Sequence, residues 1–293
     1  VAVVVALGIA ASVVSAATLV TVWGSDGSKD GQFYSPRGVA ADAHGHVYVA
    51  DTLNDRIEKF TAAGTFLGAW GSHQFNYPAG IAVAAEGHVY VADTYNYRIE
   101  KFTADGALVR IWGSRGSRHS QFDLPYGVAI DTQGDVYVAD TNNNRIEKFT
   151  GDGAFLRAWG SHGSGHGEFI KPRGVAVDAH GHVYVADTGN NRIEKFNAAD
   201  AFLRAWGSYG TGHHQFRHPS GVAVDAHGHV YVADTNNSRI QEFTLEGDPL
   251  ESWGSYSPSH GHFIYPGGVA VDAHGHVYVA DTGNHRIQKF SQP

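Results

Sequence analysis

The chain has 293 residues, a formal net charge of −8, 17% charged residues and no cysteine. Disulfides, thiolate nucleophiles and cysteine-type zinc sites are therefore excluded, and the acidic balance argues against nucleic acid, whose phosphates require a basic field. With 42% hydrophobic residues, 37 glycines and 14 tyrosines, the composition suits a turn-rich β protein with a sizeable core.

Residues 1–17, VAVVVALGIAASVVSAA, come first and carry no charged side chain. The sequence starts at Val1 without a methionine, from which we expect a processed start. As a helix this segment would span about 25 Å, somewhat short of a bilayer crossing. It reads either as the core of a secretory signal ending near Val14-Ser15-Ala16 or as a mature hydrophobic N-terminus. In the second reading Val1, Val3, Val4, Val5, Leu7, Ile9, Val13 and Val14 pack with copies of the same chain, as a helix or an exchanged strand. That segment resembles the N-termini of type IV pilin-like and archaellin-like subunits, departing from bacterial pilins in having only apolar residues from Val3 to Leu7.

From Thr18 onward the chain repeats. The aspartate of VADT recurs at Asp51, Asp93, Asp140, Asp187, Asp234 and Asp281, with spacings of 42 and then 47 residues. Tryptophan recurs independently at Trp23, Trp70, Trp112, Trp159, Trp206 and Trp253. Both rulers give six units with a five-residue deletion after Trp70. In the fourth unit GVAVD, HVYVADT, RIEKF and FLRAWGS follow one another, separated by turn residues. Four short strands per unit predict an antiparallel meander, and six such units predict an all-β, six-bladed propeller over residues 18–293. The last unit stops after its third strand, Arg286 to Phe290, while Leu19 to Ser25 aligns without gaps on Phe66 to Ser72. The N-terminal strand is therefore expected to complete the last blade and close the ring.

The pattern F-x-x-P-x-G-[VI]-A, then G-x-V-Y-V-A-D-T-x-N-x-R-I-x-x-F, then a strand ending in Trp-Gly-Ser, resembles the NHL repeat family across residues 18–293. The resemblance implies a six-bladed propeller, in agreement with the count above. Some NHL-like propellers are lyases or hydrolases with a divalent metal at the channel mouth. Here no His/Glu/Asp triad is evident at the axial positions, and no G-x-S-x-G, P-loop or HExxH motif occurs.

Residues that recur in every unit read as scaffold. Six aspartate–arginine pairs are expected to clamp loops: Asp51 with Arg56, Asp93 with Arg98, Asp140 with Arg145, Asp187 with Arg192, Asp234 with Arg239 and Asp281 with Arg286. In each the aspartate would accept backbone N–H bonds or a bidentate arginine contact. The 19 histidines include H-x-H pairs at His44/His46, His180/His182, His227/His229 and His274/His276. Such pairs have the spacing of metal ligands. The same turn carries Glu86-Gly87-His88 in unit two and Gln133-Gly134-Asp135 in unit three, so it reads as surface filler, and no metal or cofactor is expected.

Sites are expected where units differ. Around the mouth that the pre-proline loops share, Arg37, Arg173, Lys171 and His218 form a candidate anion-binding set. Phe75, Tyr77, Tyr95 and Tyr97 of unit two form a candidate aromatic platform for a peptide or glycan, and Tyr126 is a further candidate ligand residue at the mouth. Asn236-Asn237-Ser238 on the same side is a glycosylation sequon, usable only after export. The leading expectation is a non-enzymatic extracellular or cell-surface propeller. It would assemble with copies of itself through the N-terminus, meet a membrane only transiently or through that segment, and present the propeller as a binding head. The alternatives are a secreted or anchored ligand-binding sensor and a metal-dependent lyase or hydrolase.

Overall fold

The computed structural model describes residues 17–72 and 74–292. The assembly residues Val1 to Val14 lie outside the described residues. Each unit forms a four-stranded antiparallel sheet, and six sheets make a six-bladed propeller. Blade one runs Val39–Ala41, His46–Asp51, Arg56–Thr61 and Phe66–Trp70, from the axis outward. The inner strands of blades two to six are Pro78–Val83, Pro125–Ile130, Val175–Val177, Gly221–Val224 and Val269–Val271. Blade six is closed by Thr18–Trp23, which pairs antiparallel with Arg286–Ser291 and sets Trp23 opposite Ile287. Ala17 donates its N–H to the Glu251 carboxylate at 3.0 Å just before this strand. Among the described residues no helix is long and apolar enough to cross a membrane.

The second strand of each blade is buried along VYVAD because blades cover it on both faces. The core is therefore a set of layers between blades: Tyr48, Ala50 and Ile57 of blade one meet Ile81, Val89, Val91 and Phe102 of blade two. The threonine of VADT fastens these seams. Its hydroxyl donates to the carbonyl of the next blade's proline, from Thr52 to Pro78 at 2.8 Å round to Thr282 and Pro36 at 2.7 Å. The inner strands approach one another so closely at the neck that only glycine fits. A Cβ on Gly38, Gly80, Gly127, Gly174 or Gly268 would strike a backbone carbonyl of the neighbouring blade.

Each long loop before an inner strand adds a parallel bridge to the expected meander. Examples are Asp26 with Phe33 and His162 with Phe169, and in blade five it extends to Ser208–Tyr209 beside Gln215–Phe216. The buried phenylalanine anchors this loop, which explains its fixed place before each proline.

Candidate ligand mouth of the central channel

The clamp uses both carboxylate oxygens. Oδ1 of Asp51 accepts the Tyr34 N–H at 2.7 Å, and Oδ2 accepts the Arg56 Nε–H at 2.7 Å and the Asn54 amide at 2.7 Å. The remaining Arg56 N–H groups hold the loop carbonyls of Ser28, Lys29 and Gln32. The same network recurs in four other blades. Arg145 donates from Nε to Asp140 at 2.8 Å, Arg192 to Asp187 at 2.8 Å, Arg239 to Asp234 at 2.8 Å and Arg286 to Asp281 at 2.7 Å.

Of the two contacts expected of the aspartate, the backbone N–H bond is present, and the arginine contact is not bidentate in any of the six pairs. In Arg145, Arg192 and Arg239, as in Arg56, only Nε reaches the carboxylate, because Nη1 and Nη2 hold loop carbonyls. The six pairs differ in burial. Arg56 and Arg286 are buried, whereas Arg145, Arg192 and Arg239 are half-buried. Arg145 and Arg192 each also face a second carboxylate, Glu147 and Glu194, while Arg239 has Gln241 at that position. None of these arginines lines the mouth. In blade two the five-residue deletion shortens the loop, and among the described residues Arg98 holds the loop through the Gln74 carbonyl, beside its contacts with Asp93 and Glu100. This shortest loop lies beside Tyr77 and Tyr95.

The loops so fixed deliver their variable residues to one end of the channel. The residue before each proline is left-handed, with φ of 61° at Tyr77 and 51° at Lys171 and His218. Its N–H is held by the preceding blade's loop, for example Tyr77 by Asp55 at 2.7 Å and His218 by Asn191 at 2.9 Å. The residue after each proline faces the axis. Arg37 donates to the Tyr126 hydroxyl at 2.7 Å and lies 5.2 Å from the Tyr77 ring centroid. Arg173 lies over the Tyr126 ring, 5.2 Å from its centroid. Tyr77 and Tyr95 pack against each other with centroids 4.6 Å apart and their rings tilted by 30°.

This is a cationic, aromatic rim on an acidic protein. Among the described residues neither the Arg37 nor the Arg173 guanidinium pairs with a carboxylate, and the buried Arg37 Nε has no hydrogen-bond partner. Tyr126 beside it holds Arg37 above its ordinary pKa, so its charge is fixed. Burial pushes the Tyr77 hydroxyl upward and keeps it neutral.

Five of the expected residues, Arg37, Tyr77, Tyr95, Tyr126 and Arg173, come together. Three do not join them. Tyr97 meets Arg115 on the loop of the next seam, 5.2 Å from its ring centroid. Lys171 is exposed, and His218 is tied to the Asn236 amide at 2.7 Å. Asn236, the sequon asparagine, is exposed, whereas Ser238 is buried. The seam threonines and neck glycines were missed; their signal was their recurrence beside the aspartate and the proline.

The space at the mouth is about 70 Å³, bounded by Arg37, Tyr126, Arg173 and Ser220. Typical small-molecule pockets hold roughly 300–1,000 Å³, so the mouth takes a functional group rather than a whole small ligand. Below the neck the channel widens to about 230 Å³ lined by valine, alanine and isoleucine. Neither part is lined by a carboxylate or imidazole.

The NHL repeat model matches residues 33–60, 75–102, 122–149, 169–196, 216–243 and 263–290. A segment of 44 residues is 46% identical to E3 ubiquitin-protein ligase TRIM71 of Gallus gallus, spanning 15% of this chain and 5% of that relative's length. Among solved structures, a streptogramin B lyase superposes with a TM-score of 0.67 at 14% identity, over 93% of this chain and 98% of the other. A gluconolactonase from Xanthomonas campestris gives 0.67 at 16% identity, over 96% and 98%. A nidogen/laminin complex gives 0.62 at 20% identity, over 78% and 82%. At these identities the structural likenesses establish the fold alone.

Proposed function

The chain belongs to the NHL repeat family, and on that premise we propose that it is a protein-interaction propeller whose mouth captures a carboxylate of a partner polypeptide. The observation that carries this reading is the pair of guanidiniums, Arg37 and Arg173, that share Tyr126 and have no carboxylate partner among the described residues. Charge-assisted bonds from guanidinium to carboxylate are the strong polar contacts of interfaces. The tilted Tyr77/Tyr95 pair offers rigid apolar area for the residues beside that carboxylate. Nucleic acid is disfavoured, because two arginines on a chain of net charge −8 do not track a phosphate backbone. Catalysis of the lyase or lactonase kind finds no acid or imidazole in the channel lining.

The test is an array carrying acidic peptides, their amidated counterparts and uronic-acid glycans, probed with the wild type and the Arg37→Ala/Arg173→Ala variant. Acidic peptides are expected to bind, with a loss of about tenfold or more per guanidinium removed. Equal retention by the variant, or binding of glycans alone, would refute the reading.

A second reading places this head on an extracellular assembly formed through the hydrophobic N-terminus. It is supported by the short join, in which Ala17 is bonded to Glu251 and leads directly into Thr18. Sedimentation of the full chain against a version lacking residues 1–16 tests it: equal monomeric behaviour of both would end it.

A further inference from the structure

On the face opposite the mouth, most seams between blades are closed by a lysine from the third strand. Lys59 reaches the Ala104 carbonyl of the next blade at 3.1 Å, Lys101 that of Gly151 at 3.0 Å and Lys195 that of Leu245 at 3.0 Å. Lys289 turns likewise toward Ala62, at the seam of blades six and one. Lys148 of blade three stays on Asp131 and Asp135 of its own blade, and Arg157 crosses to the Ala198 carbonyl instead. At the equivalent position of blade five the residue is Glu242. The seam between blades five and six therefore lacks the lysine ammonium and gains a carboxylate.

A cavity of about 370 Å³ opens there, walled by Asp225, His227 and His229 of blade five and by His274 and His276 of blade six. The Gln292 side chain also lines it, and its buried amide atoms have no hydrogen-bond partner among the described residues. Carboxylates stand behind the imidazoles. Glu242 lies 3.1 Å from His229 Nδ1 and Asp272 lies 2.9 Å from His276 Nδ1, and among the described residues no hydrogen bond or ion pair engages Nε2 of either ring. Asp272, His274 and His276 by themselves offer ligand atoms within 4.8 Å of one another. Carboxylate behind imidazole is the arrangement that orients histidine ligands and raises their basicity.

We propose that this seam binds a divalent transition-metal ion of the zinc class, held by imidazoles of both blades in the negative field of Asp225, Asp272 and Glu242. Imidazole donors of this kind suit Zn²⁺, Ni²⁺ or Cu²⁺ rather than Mg²⁺ or Ca²⁺. Binding across a seam would also staple the ring beside its closing blade.

The experiment titrates ZnCl₂ calorimetrically into the full chain after chelator treatment and dialysis, and follows Tm with and without the ion. The wild type is expected to take up Zn²⁺ at this site with a rise in Tm. Glu242→Lys restores the residue type of the other blades, and His274→Ala/His276→Ala alters exposed or half-buried rings. Each is expected to weaken binding by about tenfold or more. Absence of Zn²⁺ uptake by the wild type, or unchanged affinity in both variants, would overturn the proposal. So would loss confined to His180→Ala/His182→Ala, because that would place the ion at the Asp178 turn of blade four.

Discussion

The Arg37 guanidinium donates a 2.7 Å hydrogen bond to the Tyr126 hydroxyl, reaching past blade two to blade three. The tie crosses the mouth where the loop of blade two is shortest, and it fixes one of the two cations of the proposed carboxylate site. Tyr126→Phe keeps the ring over which Arg173 lies and removes only the hydroxyl. The expected stability loss is about 1 kcal/mol, read from a denaturant melt, with weaker capture of acidic peptides because Arg37 is no longer positioned.

The seam threonines are expected to matter more than their size implies. Thr141 donates to the Pro172 carbonyl at 2.8 Å in a buried seam. Thr141→Val preserves shape and strands that carbonyl, at a cost of about 1–3 kcal/mol. A denaturant midpoint unchanged from wild type would count against the staple.

At the neck, Gly127→Ala places a methyl against the Arg173 carbonyl of the next blade. Overpacking of backbone by backbone cannot be relieved by a rotamer change. We expect a loss of about 1–3 kcal/mol and a shift of the Arg173 backbone, visible as weakened binding at the mouth.

Stability should fall as pH rises from mildly acidic to mildly alkaline. Each of the first four blades shares one arginine between two buried carboxylates, as Arg56 is shared by Asp51 and Glu58. Burial pushes Glu58 up to about 8, and Glu100, Glu147 and Glu194 up to about 7, against the lowering influence of the adjacent arginines. The folded chain therefore keeps protons that the unfolded chain, with glutamates near 4.5, releases. This contribution is fully present below about 4.5 and is lost as pH passes through about 7–8. Blades five and six carry Gln241 and Gln288 instead, whose amides donate to the clamp aspartates at 3.1 and 3.0 Å. Glu58→Gln should flatten the dependence in melts across that range; an unchanged slope would show that Glu58 is ionised in the fold.

The propeller was legible because a repeat records its constraints six times. The spacing of Asp51 to Asp281 and of Trp23 to Trp253 set the blade number, and the alignment of Leu19 to Ser25 marked the closing strand that pairs with Arg286–Ser291. The clamp was legible as a pairing but not as a geometry. Which guanidinium nitrogen Arg145, Arg192 or Arg239 turns to its aspartate depends on loop carbonyls that the spacing does not reveal. At the mouth, Arg37, Tyr126 and Arg173 were found because the position after each proline varies while its backbone does not. Lys171 and His218 do not line the mouth cavity. They precede the proline in a left-handed conformation, and sequence spacing does not tell which way such a side chain leaves the rim. The histidine turns were read singly, as surface filler. The facing of two turns across one seam, and the significance of Glu242 where the other blades have lysine, belong to the packing of neighbouring blades rather than to either repeat.

The central claim is that the mouth recognises a carboxylate through Arg37 and Arg173. The direct measurement is calorimetric titration of the strongest array peptide, as free acid and as amide, into the wild type and the Arg37→Ala/Arg173→Ala variant. The account predicts that the free acid binds the wild type most tightly, that amidation and the arginine substitutions each weaken it, and that the two losses do not add. Equal affinity for acid and amide, or losses that simply add, would contradict it.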